Sequence, residues 1–411
     1  MDEHGGDPVD TKRGPEDTAG GPDRGGLNAP SWGWAIRVGL TVWLATRVGF
    51  LLVAGIVTTI APPKDPVEGP WYAWVFRVYA RQDAGYFRSI ADLGYLHRGA
   101  HSVAVAFLPG YPLTGRYLAY SFGAGHTTVL DYQVALALIA WAGAAVAAIL
   151  LCKMVADAAD PRAGTASVLL LLAGPYSLFF MASYSEGPFL ALALAAWMCA
   201  RRQAWVWAAM FCALATFVRI NGIFLLLGIL VMFALDSRRT NHVRSKRDLL
   251  AFVLPCVALA GYFTWLRGAT GHWDAWFTAQ RTGWSRYTTW PWRSLTNSID
   301  LLSKVTQPAR RFQSAIELVS AAFYLTALAA LARRRMWPEL AYVGLGVVAL
   351  LTSSYYQAVQ RSTIIAFPVI ALLAQWSVAT PHRRAVGAVG AASFALLIVN
   401  VTFFVRGYTA G

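Results

Sequence analysis

Apolar residues run through this chain in long blocks separated by short polar breaks. A bilayer span takes about 20 mostly apolar residues. On that ruler the candidate spans lie near 34–60, 104–122, 130–152, 163–181, 184–200, 205–218, 221–235, 249–267, 315–332, 337–353, 362–377 and 385–405. Several are short, adjacent or broken, so the pattern predicts about 10 to 12 membrane helices in an all-α, polytopic fold. Two stretches depart from it. Residues 61–103 and 268–314 are long, mixed in charge and rich in aromatics, including Trp71, Tyr72, Trp74 and Phe76 in the first and Trp273, Trp276, Trp284, Trp290 and Trp292 in the second. Aromatic rings with polar edges favour the membrane–water boundary. Both stretches read as interfacial helices beside a site, the first of them in the first long external loop. No repeat of fixed period is evident.

Composition agrees. Hydrophobic residues make up 57% of the 411 and charged ones only 14%, against roughly 25% charged in soluble domains. Mean hydropathy is +0.46. These values exclude a disordered chain, a collagen-like chain and a nucleic-acid-binding domain with a solvated basic face. The formal charge of +14 is unevenly spread: residues 1–30 hold seven acids and three strong bases, so the remainder carries +18 with 14 acids. In a body so poor in acids each carboxylate is informative, because a general base is most often a carboxylate or a histidine.

Residues 1–30 are Gly-, Pro- and Asp-rich and read as a disordered cytosolic tail. They lack the parts of a secretory signal, so the first apolar segment reads as a retained anchor. Residues 31–411 form one transmembrane unit. Cys152, Cys199, Cys212 and Cys256 lie in apolar stretches without CxxC or metal spacing, which reads as helix packing. The basic clusters Arg201-Arg202, Arg238 to Arg247, Arg333-Arg334-Arg335 and Arg383-Arg384 set orientation. With all four in the cytoplasm, 182–186, 219–221, 268–314 and 354–361 lie outside. An inside tail then requires that one early segment not cross. The candidate is 104–122, which carries Pro109, Gly110, Pro112 and Arg116.

Several short constellations could carry chemistry. Arg81-Gln82-Asp83, followed by Tyr86-Phe87, sits in the first external loop. Asp83 is either a helix-capping aspartate or a base that takes a hydroxyl proton at the lipid boundary. Pro109-Gly110-Tyr111-Pro112 breaks helical hydrogen bonding and is a kinked helix start or a pocket wall. Tyr184-Ser185-Glu186 puts a carboxylate between apolar helices, either a helix N-terminal acid or a functional intramembrane charge. Arg219-Ile220-Asn221-Gly222 suits a tight reversal. Trp276-Phe277, Gln280-Arg281 and Trp284 form a fifth group, and Gln357, Gln360 and Arg361 a sixth. Arg219, Arg281 and Arg361 all fall on the external side, where arginine can clamp a phosphate bidentately. His97 and His101 are four apart but in a Gly-containing loop, so neither a metal nor another cofactor is indicated.

Read in order, these segments resemble the PIG-V-type mannosyltransferases, a family of integral-membrane GT-C glycosyltransferases. The family pattern is similar to WDAxxFxxIAxxGY, AFFPxYP, NPAxxFxxxxYSE, a TRxNG turn and WFxxQxxW. Here these appear as Gln82-Asp83-Ala84-Gly85-Tyr86-Phe87, Ala106 to Pro112, Gly174-Pro175 through Glu186, Val218 to Gly222, and Trp276 to Trp284. The matches run from about residue 34 to 370. Gln82 stands in place of the usual Trp, Gly174 in place of Asn, and Val218 where Thr is common.

The resemblance implies a GT-C-like catalytic domain over 31–411. It implies inverting transfer of a mannosyl unit from a polyprenyl-phosphate donor to a lipid or glycan acceptor hydroxyl, on the extracytoplasmic face of the cell membrane. Asp83 would be the base. Arg219 and Arg361 would hold the donor phosphate, and Glu186, Tyr111 and Gln280 would shape the sugar pocket. Arg81, Gln82, Tyr86, Tyr184, Asn221 and Trp284 are the remaining substrate-contacting candidates in these motifs. Expected partners are the lipid-linked donor, the acceptor and membrane lipids, with no nucleic acid. A flippase of lipid-linked sugars, a GT-C enzyme using another polyprenyl-phosphate sugar and a catalytically silent assembly subunit are the competing readings.

Overall fold

The computed structural model describes residues 30–61, 71–99, 102–123, 126–240, 245–379, 381 and 383–408. The tail expected over 1–30 lies outside the described residues, apart from Pro30. The described elements are helical, with one isolated antiparallel bridge between Thr288 and Ser353.

The first long apolar block is α1 (Trp32–Ile60). Short α2 (Trp71–Arg77) and α3 (Asp83–Leu93) occupy the first aromatic stretch, and α4 (Gly110–Gly123) follows the Pro-Gly break. Then come α5 (Val129–Ala158), α6 (Pro161–Leu172), α7 (Glu186–Arg201), α8 (Trp205–Val218), α9 (Asn221–Thr240), α10 (Lys246–Ala251) and α11 (Val253–Thr270). The second aromatic stretch holds α12 (Ala275–Trp284) and α13 (Pro291–Lys304). The chain closes with α14 (Pro308–Arg333), α15 (Trp337–Leu351), the four-residue α16 (Val359–Ser362), α17 (Phe367–Ala379) and α18 (Arg383–Val405).

Local chemistry sets the starts. Ser31 accepts from the Trp34 N–H to cap α1, Thr128 and Asp131 close a capping box on α5, and Asp160 precedes Pro161 at the start of α6. Among the described residues six helices are long and apolar enough to cross a membrane, or seven if α16–α17, bent by 76°, is one broken span. α6, α8 and α15 are shorter apolar helices. The chain is thus a multi-pass membrane protein, with fewer full-length spans than the blocks suggested. The block 163–181, for example, divides at Gly174-Pro175 into α6 and a 3-10 turn, Ser177–Phe180.

The basic clusters all fall at one end of the bundle. Arg201-Arg202 joins α7 to α8, Arg238 lies in the last turn of α9 and Lys246-Arg247 in the first turn of α10, Arg333-Arg334-Arg335 joins α14 to α15, and Arg383-Arg384 opens α18. The N-terminus of α1 lies at the same end, with Lys153 over the Trp32 ring and Gly164 against Trp34. The starts of α7 and α9 and the segment 352–366 gather at the other end.

The helix α4 stays at that second end. Gly110 packs on the Phe217 carbonyl at the close of α8, Gly115 on Leu136, and Gly123 beside Thr127 and Asp131. The α5 helix meets the start of α7 only further along, at Gly143. Its first turns therefore project about 21 Å past that level at 1.5 Å per residue, and α4 packs on this projection. The early segment 104–122 thus does not reach the basic end.

Gly143 and Gly187 bring α5 and α7 together backbone to backbone: a methyl at Gly187 would run into the Ala140 carbonyl, and one at Gly143 into the Pro188 nitrogen. Small residues allow such close approach in membrane bundles. Gly187→Val is expected to destabilise the fold by roughly 1–3 kcal/mol, read as a lower thermal midpoint in detergent. An unchanged midpoint would refute the tight crossing.

Candidate active site

A cavity of about 590 Å³ opens at the end opposite the basic clusters, between α3, the α8–α9 turn, α12 and the segment after α15. Asp83 reaches its wall because it is the first residue of α3. The preceding Gln82 has a positive φ (φ 55°, ψ −118°), and its side-chain amide donates to the Tyr408 carbonyl at 2.8 Å, past the end of α18. The positive end of α3 favours a carboxylate at Asp83. At the other end Arg116 donates to the carbonyls of Ala91 (2.5 Å), Ile90 (3.2 Å) and Asp92 (3.1 Å), a cation on the negative helix terminus.

Arg361 joins two carboxylates from distant parts of the chain. Its Nη1 lies 2.6 Å from Asp83 Oδ2, and its Nε donates to Glu186 Oε1 at 2.6 Å. The guanidinium centre sits 4.7 Å from the Phe179 ring and 4.5 Å from the Tyr184 ring, so aromatic faces hold the plane that the hydrogen bonds orient. Glu186 opens α7, is 1% exposed, and also pairs with Arg219 Nη1 at 3.0 Å. That same Nη1 donates to Ser185 Oγ at 2.9 Å. Glu186 is thus both of the things its sequence position allowed, a helix N-terminal acid and a charge buried between apolar helices. Burial holds the Arg219 guanidinium below its ordinary pKa, against the pull of Glu186.

Two carboxylates and two guanidinia balance here. Arg281, as the sequence suggested, also lines the cavity, and Arg286 is a fourth cation on its wall. Its Nη2 donates to the Gln357 carbonyl at 2.7 Å, and its buried Nε has no hydrogen-bond partner. Among the described residues no carboxylate lies within ion-pair distance of it. Burial lowers its pKa, opposed chiefly by Glu317, but arginine stays charged in proteins.

Of the residues singled out from sequence, Asp83, Arg219, Asn221, Trp276, Phe277, Gln280, Arg281, Trp284, Gln357 and Arg361 are among those that line the cavity. Glu186 and Tyr184 lie beneath Arg361, and the Tyr184 hydroxyl donates to the Arg81 carbonyl at 3.1 Å. Tyr86 stands behind the wall, its ring 5.4 Å from Phe107 and 6.1 Å from Trp284. Arg81 and Gln82 lead into α3 and are not on the cavity wall. Tyr111 is not there either: it is 1% exposed, its hydroxyl donates to the Leu136 carbonyl at 2.8 Å, and its ring packs edge-on against Phe87. It secures α4 to α5.

Sequence reasoning did not single out Arg286 or Glu317. The signals were present. Arg286 is an isolated base between the tryptophans of the second aromatic stretch, and Glu317 is an acid inside an apolar block. His97 hydrogen-bonds Ser89 and the Gly94 carbonyl, each at 2.9 Å, while His101 lies outside the described residues. No group of three or more His, Cys, Asp or Glu suited to a metal occurs among the described residues.

No protein-family model and no curated protein matches the sequence. Several solved structures resemble the fold. Apo ArnT from Cupriavidus metallidurans is 17% identical with a TM-score of 0.46, over 83% of this chain and 61% of that one. The same protein bound to undecaprenyl phosphate is 16% identical with a TM-score of 0.45, over 88% and 76%. The Archaeoglobus fulgidus oligosaccharyltransferase in complex with Zn and sulfate is 13% identical with a TM-score of 0.45, over 88% and 53%. The chain thus spans about three fifths of the length of apo ArnT and about half that of the oligosaccharyltransferase.

Proposed function

We propose that this protein is a membrane glycosyltransferase. In this reading it moves a mannosyl unit from polyprenyl-phosphate-mannose to a hydroxyl of a lipid or glycan acceptor, with inversion. The observation that carries the reading is the contact of Asp83 with Arg361 on the cavity wall, 2.6 Å apart. It brings a proton acceptor and a phosphate-binding group to one point at the end of a membrane bundle.

The acceptor oxygen attacks the anomeric carbon as the bond from that carbon to the phosphate oxygen breaks. The acceptor proton passes to Asp83. Polyprenyl phosphate leaves with the bonding electrons, and preorganised cations stabilise the charge it gains. Arg361, Arg219, Arg281 and Arg286 are the cations on the cavity wall. The phosphate is already a competent leaving group, so no separate acid is required. Gln280, Asn221 and Trp284 line the remaining space where sugar and acceptor would lie. With the basic clusters in the cytoplasm, the cavity opens outside the cell membrane. Residues 31–411 are then the catalytic unit, and the acidic segment before them is a tail outside it.

The test is transfer by purified protein from radiolabelled polyprenyl-phosphate mannose to a panel of lipid and glycan acceptors. Labelled product is expected. Transfer only from another polyprenyl-phosphate sugar would overturn the mannosyl assignment, and no transfer from any donor would overturn the enzyme. Within the same assay, Arg286→Ala is expected to raise the donor KM about 10- to 100-fold, the worth of a charge-assisted contact of 1.5–3 kcal/mol. The acceptor KM should stay within about threefold. Equal effects on both would remove Arg286 from the donor side.

A further inference from the structure

The segment that carries Arg361 has little regular structure of its own. Residues 352–358 lead from α15 into α16, and α16 lasts four residues. A guanidinium that must meet two carboxylates needs a support held to about 0.5 Å. Neighbouring elements supply that support.

Glu317, on α14 and 7% exposed, accepts the Ala358 N–H on Oε1 at 2.7 Å and the Val359 N–H on Oε2 at 2.8 Å. The Gln360 N–H reaches the same Oε2 at 3.4 Å. Ala358 is left-handed, with φ 57° and ψ 23°. Successive N–H groups turned to one side form a concavity suited to an anion, and the Glu317 carboxylate fills it. Arg286 holds the same Gln357–Ala358 peptide from its other side, donating to the Gln357 carbonyl at 2.7 Å. Ser298 of α13 accepts the Tyr356 N–H at 2.8 Å, and Tyr324 of α14 hydrogen-bonds Ser362 at 3.0 Å.

A carboxylate within an apolar span is unfavourable unless it is paired and serves a purpose. Glu317 is not on the cavity wall, and its hydrogen bonds among the described residues all go to the Arg361 segment. We infer that Glu317 is a positioning residue: it clamps the backbone of 358–360 and so fixes the Arg361 guanidinium between Asp83 and Glu186. Its effect on turnover rests on the glycosyltransferase reading; the clamp itself does not.

Hydrogen exchange on the full chain in detergent is expected to show the Ala358, Val359 and Gln360 amides protected, and Glu317→Gln is expected to release them. Turnover of Glu317→Gln should fall about 10²-fold, as for a small misplacement of a reacting group, with the acceptor KM within about threefold. Adding Ala358→Gly, which removes the left-handed penalty, should restore about fivefold of it. Unprotected amides in the wild type overturn the inference. So does a Glu317→Gln protein that keeps its turnover, or one that loses turnover while its amides stay protected. If Glu317→Gln does not fold, the clamp is tested by wild-type exchange and by the turnover of Glu317→Asp, whose carboxylate is drawn back by one methylene: protected amides with reduced turnover support it, and turnover equal to wild type overturns it. If the wild type transfers no sugar at all, the proposed function fails and the exchange results alone test the clamp.

Discussion

Asp83→Asn is expected to lower turnover about 10³-fold, within the range for loss of a positioned general base, while the protein stays folded. Asparagine has nearly the same shape and still accepts a hydrogen bond from Arg361, but it cannot take the acceptor proton. Asp83 is 20% exposed in its side chain, so losing its charge leaves no deeply buried group unpaired, and Arg361 keeps Glu186. Donor affinity should rise slightly or hold, because a negative charge beside the phosphate site is removed. The comparison is single-turnover transfer with the donor saturating, alongside binding of labelled polyprenyl phosphate. Turnover within about fivefold of wild type would remove Asp83 as the base, since that falls well short of the general-base range.

Arg361→Ala is expected to damage both stability and activity. Its guanidinium meets Asp83 Oδ2 and Glu186 Oε1 together. Without it Glu186, 1% exposed, retains Arg219 alone, while its Oε2 already lacks a hydrogen-bond partner. Removing one member of a buried charge pair destabilises by about 3–5 kcal/mol, which should appear as a clear drop in the thermal midpoint. Turnover should fall at least about 10²–10³-fold in whatever fraction remains folded, the usual effect of deleting one preorganised stabilising group. Arg361→Lys keeps the charge but cannot fork to two carboxylates or lie flat between Phe179 and Tyr184, so it should recover stability more than activity. The double variant Arg361→Ala with Glu186→Gln should regain part of the lost midpoint, because the stranded charge is gone. A single Arg361→Ala protein that melts with the wild type would show that the network carries little energy.

The residues behind these expectations come from segments far apart in the chain. The motif order pointed to Asp83, Glu186 and Arg219, and the external arginines to Arg361; in the structure Arg361 joins Asp83 to Glu186, and Arg219 joins them at Glu186. The motif order could not reveal that Tyr111, in the same motif set, turns its hydroxyl to Leu136. A tyrosine beside two prolines looks alike whether it faces a pocket or a neighbouring helix; the packing of α4 on α5 decides. Arg286 and Glu317 show the converse. Each stands outside the recurring segments, and its role depends on where the fold puts it: Arg286 on the cavity wall and the Gln357 carbonyl, Glu317 on the amides of 358–360.

What the sequence alone determined is what one dimension can encode. Partition between water and lipid is a property of short windows, so the apolar blocks, the interfacial aromatic stretches and the basic ends followed from residue order. Helix starts at Ser31, Thr128 and Asp160 are equally local. The tertiary structure decided everything that depends on distant parts meeting. Arg361 reaches Glu186 across 175 positions and Asp83 across 278. How far α5 projects beyond the start of α7, and so where α4 packs, is set by the meeting of Gly143 with Gly187 and Pro188. A side chain's charge partners, and hence its chemistry, are set by which helices pack together. No local window of residues contains that information.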